Sequence, residues 1–282
     1  MFVPELAPEV KERFLVFKKK WENISLCPIS ANLMIAELRD IFKSTIVVSQ
    51  SRDFEQHYYR VRKGSIDDIT NPKEFSYPPA KFSGPGRCNL KNRPVFYGAE
   101  SALVALEEVG VEVGEECYLS LWSSGDNFPK YAQYIWTRYA DSERLRAHYN
   151  RRKDIYMNME PVETSIAILW FLEVLTELFV SDTHTVSSAL SYDALYQKGF
   201  DGIEYLDAKS RKWYNFALST DFADKLKLKA VYHVFPSDEN SITYISIGTE
   251  VDGQIDWKPY SDSHFEELNS GIRRVDESGR EV

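Results

Sequence analysis

HYYRVRKG (57–64), GPGRCN (84–89) and VFYGAESALVALEEV (95–109) follow one another along this chain, and their reading decides the rest. The first is rich in aromatic and β-branched residues and predicts a strand. The second sets an arginine behind Gly84, Pro85 and Gly86, and predicts a loop whose backbone amides can come close to a ligand. The third predicts a strand, VFYG (95–98), passing into a short helix that ends at Gly110. Two arginines (Arg60, Arg87), a tyrosine (Tyr97) and a helix-borne carboxylate (Glu108) thus stand in one short region. Guanidinium forks suit phosphate oxygens. An aromatic face suits a flat ring. A carboxylate can grip sugar hydroxyls and stabilise positive charge on a sugar carbon. The combination suits a pocket that holds a dinucleotide and cuts the glycosidic bond of its ribose.

Outward from this region, residues 8–22 and 30–43 predict helices, with Leu33, Ile35, Leu38, Ile41 and Phe42 at helical spacing in the second and Pro28 between the two. TIVVS (45–49) predicts a short strand and 64–86 a loop. ECYLSLW (116–122) predicts a strand. Residues 126–160 are polar and carry no clear period, apart from RLRAHYNRRK, which predicts an exposed helix. Helices are expected at 163–180 and 186–198, and strands at 201–206, 214–218, 229–235 and 242–248. A loose polar tail is expected to close the chain after residue 250. Strands and helices mix without βαβ alternation, so the expected class is α+β. The expected division is an N-terminal helical segment (1–45), a central domain (46–235) and a C-terminal strand with a polar tail (236–282).

The 282 residues are 43% hydrophobic, enough to bury a large core without staples. A net charge of −9 argues against broad contact with nucleic acid or an anionic membrane, each of which calls for a basic face. Cys27, Cys88 and Cys117 are scattered and odd in number, which points to a reducing compartment. His57, His148, His184, His233 and His264 are too dispersed to suggest a metal site. The charged N-terminus does not read as a signal peptide. The most apolar run, SIAILWFLEVLTELFV (165–180), is short for a membrane span and carries Glu173 and Glu177. A core helix in a cytoplasmic protein is the expectation.

The motifs resemble those of the RES domain family. That family carries YRV on an early strand, matched by Tyr59-Arg60-Val61, and GRxN in a following loop, matched by Gly86-Arg87-Cys88-Asn89. Its strand-to-helix pattern Y-x-A-x-S-x-x-x-A-x-x-E is matched at Tyr97, Ala99, Ser101, Ala105 and Glu108. A later element, G-[FV]-D-G-I-x-Y, is matched from Gly199 to Tyr205. The resemblance spans residues 50–235. It implies an ADP-ribosyltransferase-like fold and an enzyme that consumes NAD by phosphorolysis or hydrolysis, with no cofactor beyond NAD as substrate and inorganic phosphate as a possible co-substrate. It also implies a toxin paired with a helix-turn-helix (Xre-type) antitoxin that blocks the pocket. One position departs: where the family has serine, in a Y-P-S pattern, this chain has Tyr205-Leu206-Asp207, and the next serine is Ser210. A carboxylate facing the pocket there would repel a diphosphate. Either Ser210 takes over, or Asp207 points elsewhere, or activity is altered.

In this reading Arg60 pairs with a phosphate oxygen and Arg87 adds charge to the glycine-rich loop. Tyr97, or alternatively Tyr59, stacks on the nicotinamide ring. Glu108 sits seven positions after Ser101, on the same helix face, and holds the nicotinamide ribose, while Glu107 falls on a neighbouring, wetter face. Ser101 either touches a phosphate or caps the helix, and Asn89 either fixes its loop or touches the ligand. Two rival functions stay open: ADP-ribosyl transfer to a protein, and a nucleotide-binding or interaction module without turnover.

Overall fold

The computed structural model describes residues 8–22, 24–42, 48–51, 54–134, 142–158, 162–209, 211–238 and 241–261. The class is α+β. Ten strands form one sheet: β1 (Val48–Ser51), β2 (His57–Lys63), β3 (Phe96–Ala99), β4 (Cys117–Ser123), β5 (Lys130–Tyr134), β6 (Gly202–Leu206), β7 (Tyr214–Leu218), β8 (Lys227–Asp238), β9 (Ser241–Val251) and β10 (Gln254–Pro259). The helices are α1 (Pro8–Trp21), α2 (Pro28–Phe42), α3 (Ala102–Val109), α4 (Glu143–Met157), α5 (Val162–Val180), α6 (Thr185–Tyr192) and α7 (Thr220–Ala223). Spatial order in the sheet is β1-β5-β6-β7-β3-β2-β4-β8-β9-β10, antiparallel except for the β5–β6 pair.

The sheet is continuous but nearly divided. β2 pairs with β4 along its whole length, from His57–Ser123 to Lys63–Cys117, whereas β2 meets β3 through a single register pair, Tyr59–Ala99. Beyond that pair the two strands part. On one face, the half built from β5, β6 and β7 is covered by α1, α2, α5 and α6, which share a core with Ala132, Ile203, Tyr205 and Ala217. The other half is covered by α3, whose Val104, Ala105 and Leu106 pack with Val61, Leu119, Leu121, Ala230 and Tyr232. On the opposite face, Tyr58, Phe96, Tyr131, Phe216, Leu218 and Phe222 form a third apolar layer. Strand alternation produces this split: Tyr214, Phe216 and Leu218 of β7 face one layer, Ala217 the other.

Individual elements differ from the sequence reading in instructive ways. The helix at 143–157 was expected to be exposed, yet Leu145 and Tyr149 are buried: these two, four positions apart, form a narrow apolar stripe that the surrounding charges mask. β5 and β10 were not expected. β10 is a short edge strand with a single buried residue, Ile255, and so shows little alternation. It occupies the start of the expected loose tail, whose remainder, 262–282, lies outside the described residues, as do 45–47 of the expected strand 45–49. The loop 64–86 contains two short 3-10 turns, Pro72–Phe75 and Ala80–Phe82. Helix 186–198 is an α-helix to Tyr192 followed by one π-turn, Asp193–Gln197. Among the described residues no helix is long and apolar enough to cross a membrane.

Candidate active site

Where β2 and β3 part, a cavity of about 410 Å³ opens between α3 on one side and the α5–α6 junction on the other. Its floor is a row of side chains running across four strands in register: Tyr205 on β6, Asn215 on β7, Ala99 on β3 and Tyr59 on β2. Arg60, Arg87, Tyr97 and Glu108 also line it. Residues far apart in the chain are thus brought to one cavity.

Arg60 points away from Tyr59 along the strand and reaches the cavity through the seam. Its Nη1 donates to the Tyr97 carbonyl at 3.0 Å, its Nε to the Ser76 carbonyl at 3.1 Å, and its guanidinium lies 5.4 Å from the Phe96 ring centre. The side chain therefore spans the gap between β2 and β3. Burial, with Arg62 adding to it, pulls its pKa down to about 10, so the group remains charged at neutral pH.

Arg87 is anchored at the end of α5, where Nη1 donates to the carbonyls of Phe179 and Ser181. Carbonyls at a helix C-terminus lack intrahelical partners and carry partial negative charge, so a guanidinium belongs there. The loop before it is stapled from within. Tyr97 donates to Asn89 Oδ1 at 2.8 Å and accepts from the Cys88 N–H at 2.8 Å, while Asn89 Nδ2 donates to Ser83 Oγ, the Gly84 carbonyl and the Leu90 carbonyl. A Cβ at Gly86 would stand 2.6 Å from Asn89 Oδ1 and 2.9 Å from the Tyr97 hydroxyl oxygen, so this staple requires glycine. Burial holds the Tyr97 phenol well above its ordinary pKa, and the hydroxyl stays protonated as a donor.

Glu108 is half-buried on the cavity side of α3, one turn after the small Ala105, and its Oε1 accepts from the Ala208 N–H at 3.3 Å. Glu107 is exposed.

Other expected site residues are not in the cavity wall. Asn89 is 4% exposed, and its amide is consumed by the loop staple. Ser101 occupies the N-cap position of α3 with no side-chain cap hydrogen bond and does not line the cavity. Asp207 is 1% exposed and turned into the β6–β7 connection, where its carboxylate accepts from the N–H groups of Arg211, Lys212 and Trp213 at 3.0–3.2 Å. It caps a turn and presents no carboxylate to a cavity ligand. Ser210 lies outside the described residues.

A structure comparison finds similarity to a chain in the crystal structure of the M. tuberculosis MbcT-MbcA toxin-antitoxin complex, with 14% identity, a TM-score of 0.35, and 66% of this chain and 88% of that chain covered. No family model matches the sequence, and no curated protein matches it.

Two cavity residues escaped the sequence reading. His184, at the N-cap position of α6, and Asn215, in the middle of β7, line the cavity. Among the described residues, their Nδ1 and Nδ2 atoms are the buried side-chain nitrogens that lack a hydrogen-bond partner. Burial lowers the His184 pKa, the Arg87 charge lowers it further, and Asp182 opposes both, so the imidazole is neutral at pH 7. Asn215 carried a signal in the sequence: an amide within YNFAL, in a strand where asparagine is disfavoured. His184 carried none. Among the described residues no group of three or more His, Cys, Asp or Glu side chains is placed to share a metal ion.

Proposed function

We propose that the cavity binds NAD and breaks its nicotinamide–ribose bond, as an NAD phosphorylase or glycohydrolase. The observation that carries this reading is the meeting of two guanidinium groups, aromatic walls and one helix-borne carboxylate, Glu108, around a single cavity. Its volume lies within the range of small-molecule sites, about 300–1,000 Å³. The order of the RES-like motifs along the chain agrees with the same reading.

In this mechanism Arg60 and Arg87 hold the diphosphate, and the ring of Tyr97 or Tyr59 lies against nicotinamide. Two N–H groups of Arg60 are already bound to carbonyls, which fixes the fork and leaves Nη2 for a ligand oxygen. Glu108 accepts from a ribose hydroxyl and stabilises the positive charge that grows on the anomeric carbon as the C–N bond breaks. The bonding electrons leave with nicotinamide, whose ring nitrogen was cationic, and no proton is needed to release it. Phosphate or water then forms the new C–O bond, and the proton that an attacking water loses passes to solvent. Asp207, folded into its own turn, does not oppose the diphosphate.

As a cell-level extension we propose a toxin held in check by a helix-turn-helix antitoxin that covers the cavity. Among the described residues no serine lines the cavity, whereas the RES pattern supplies one, and this favours a second reading, binding without turnover. The test is incubation of the purified protein with NAD, with and without inorganic phosphate, followed by product identification by mass. Free nicotinamide with ADP-ribose or its 1-phosphate is the expected result. NAD bound but intact would establish the binding reading. A mass gain on a protein would indicate ADP-ribosyl transfer, and NAD neither bound nor consumed would end the proposal.

A further inference from the structure

Asn215 is 2% exposed, sits in the centre of a strand, and leaves its amide nitrogen without a partner. An unpartnered buried amide is destabilising, and a strand interior is a poor place for asparagine. Its neighbours in the sheet and across the cavity do not satisfy it. On β3 it faces Ala99, which offers no side-chain acceptor, and Glu108 Oε1 is already taken by the Ala208 N–H. On β6 it faces Tyr205, with which the amide nitrogen forms no hydrogen bond. The orphan donor belongs to a residue of the cavity floor.

Above that floor stands the α3 wall. Ala105 and Glu108 lie three positions apart on α3 and both line the cavity. Ala99 below and Ala105 beside leave room between the sheet and the helix, next to the carboxylate. The cavity therefore sets a donor, Asn215 Nδ2, and an acceptor, the Glu108 carboxylate, on two adjoining walls. A vicinal diol complements such a pair: one hydroxyl donates to the carboxylate while the oxygen of its neighbour accepts from the amide.

Resting on the NAD-cleaving reading above, we propose that Asn215 is a second ribose-binding residue, which, with Glu108, clamps the cis-diol of the nicotinamide ribose and selects ribose over deoxyribose. An amide in that position fixes the sugar relative to Glu108 and requires no proton transfer. Its orphan state in the free protein is the cost of keeping a donor ready for the ligand.

The test combines substrate and protein changes. NAD and two analogues, lacking the 2- or the 3-hydroxyl of the nicotinamide ribose, are compared on wild type and on Asn215→Val, with Asn215→Ala as a second variant. Comparing the same analogue on two enzymes cancels its intrinsic reactivity. Deleting one of the hydroxyls should cost wild type at least about tenfold more in kcat/KM than it costs either variant, because that interaction is already gone there. Asn215→Val should melt no earlier than wild type. Equal penalties for both hydroxyls in wild type and variants would overturn the assignment while leaving NAD cleavage standing. A third substrate, the dinucleotide with nicotinic acid in place of nicotinamide, is compared in the same way, and a non-additive penalty seen only with it would also overturn the assignment by moving Asn215 to the carboxamide. If wild type neither binds nor consumes NAD, the functional reading falls and this inference falls with it.

Discussion

Asp207 shows how one residue can be ambiguous in the sequence and be plain in the structure. Placed where the RES pattern has serine, it leaves open whether Ser210 takes over, Asp207 points elsewhere or activity is altered; placed in space, it gathers three backbone N–H groups of a turn. Asp207→Ser should therefore destabilise the protein by about 2 kcal/mol in urea unfolding, and should not raise NAD turnover. The figure is below that of three full hydrogen bonds because Lys212 and Trp213 lie at the surface, where water can replace the carboxylate. His184 gives a second residue-scale expectation. Burial and Arg87 depress its folded pKa below the unfolded value, so the unfolded chain binds the proton more readily. Its contribution to stability is complete above about pH 6.5 and is lost as pH falls from there through the folded pKa. His57 is depressed by burial in the same direction. Denaturation midpoints measured between pH 7.5 and 5.5 should fall for wild type and fall less for His184→Gln.

At the scale of elements, legibility followed periodicity. α1, α2, α3 and α5 announce themselves through apolar spacing and, for α3, through the left-handed Gly110 that ends it. β2, β6 and β7 do so through aromatic and β-branched runs. β5 and β10 do not, because each takes its place from neighbours: β5 is inserted between β1 and β6, and β10 completes a hairpin with β9. α1 and α2, in the expected N-terminal helical segment, pack against the rest. Phe42 packs on Phe171 with ring centres 4.6 Å apart, and Arg39 pairs with the largely buried Asp193 at 3.0 Å. Phe14, Phe17, Met34 and Leu38 share one apolar cluster with Leu172, Leu175 and Leu190. Removing residues 8–42 should thus expose the α5–α6 surface and yield insoluble or unfolded protein, seen as loss of a cooperative melt. A soluble, folded remainder would show that the two helices are an appendage.

For the molecule as a whole, function is proposed where the sheet fails to close. The β5-β6-β7-β3 side carries one set of helices, the β2-β4-β8 side carries α3, and the two part beyond Tyr59–Ala99, with Arg60 bridging the gap. The sequence shows the arginines and the carboxylate, since their residue types and order are visible. It does not show that Asn89, Ser101 and Asp207 turn away from the cavity while His184 and Asn215 turn toward it. Those orientations depend on strand register and loop closure between distant segments. The most direct measurement compares wild type with Glu108→Gln for NAD binding by calorimetry and for NAD loss. Glutamine keeps an oxygen for the Ala208 N–H, so fold and binding should persist. Turnover should drop by about a hundredfold or more, the scale of losing one preorganised electrostatic stabiliser. NAD consumption by Glu108→Gln at the wild-type rate would contradict the assignment of this cavity as the place where the glycosidic bond breaks.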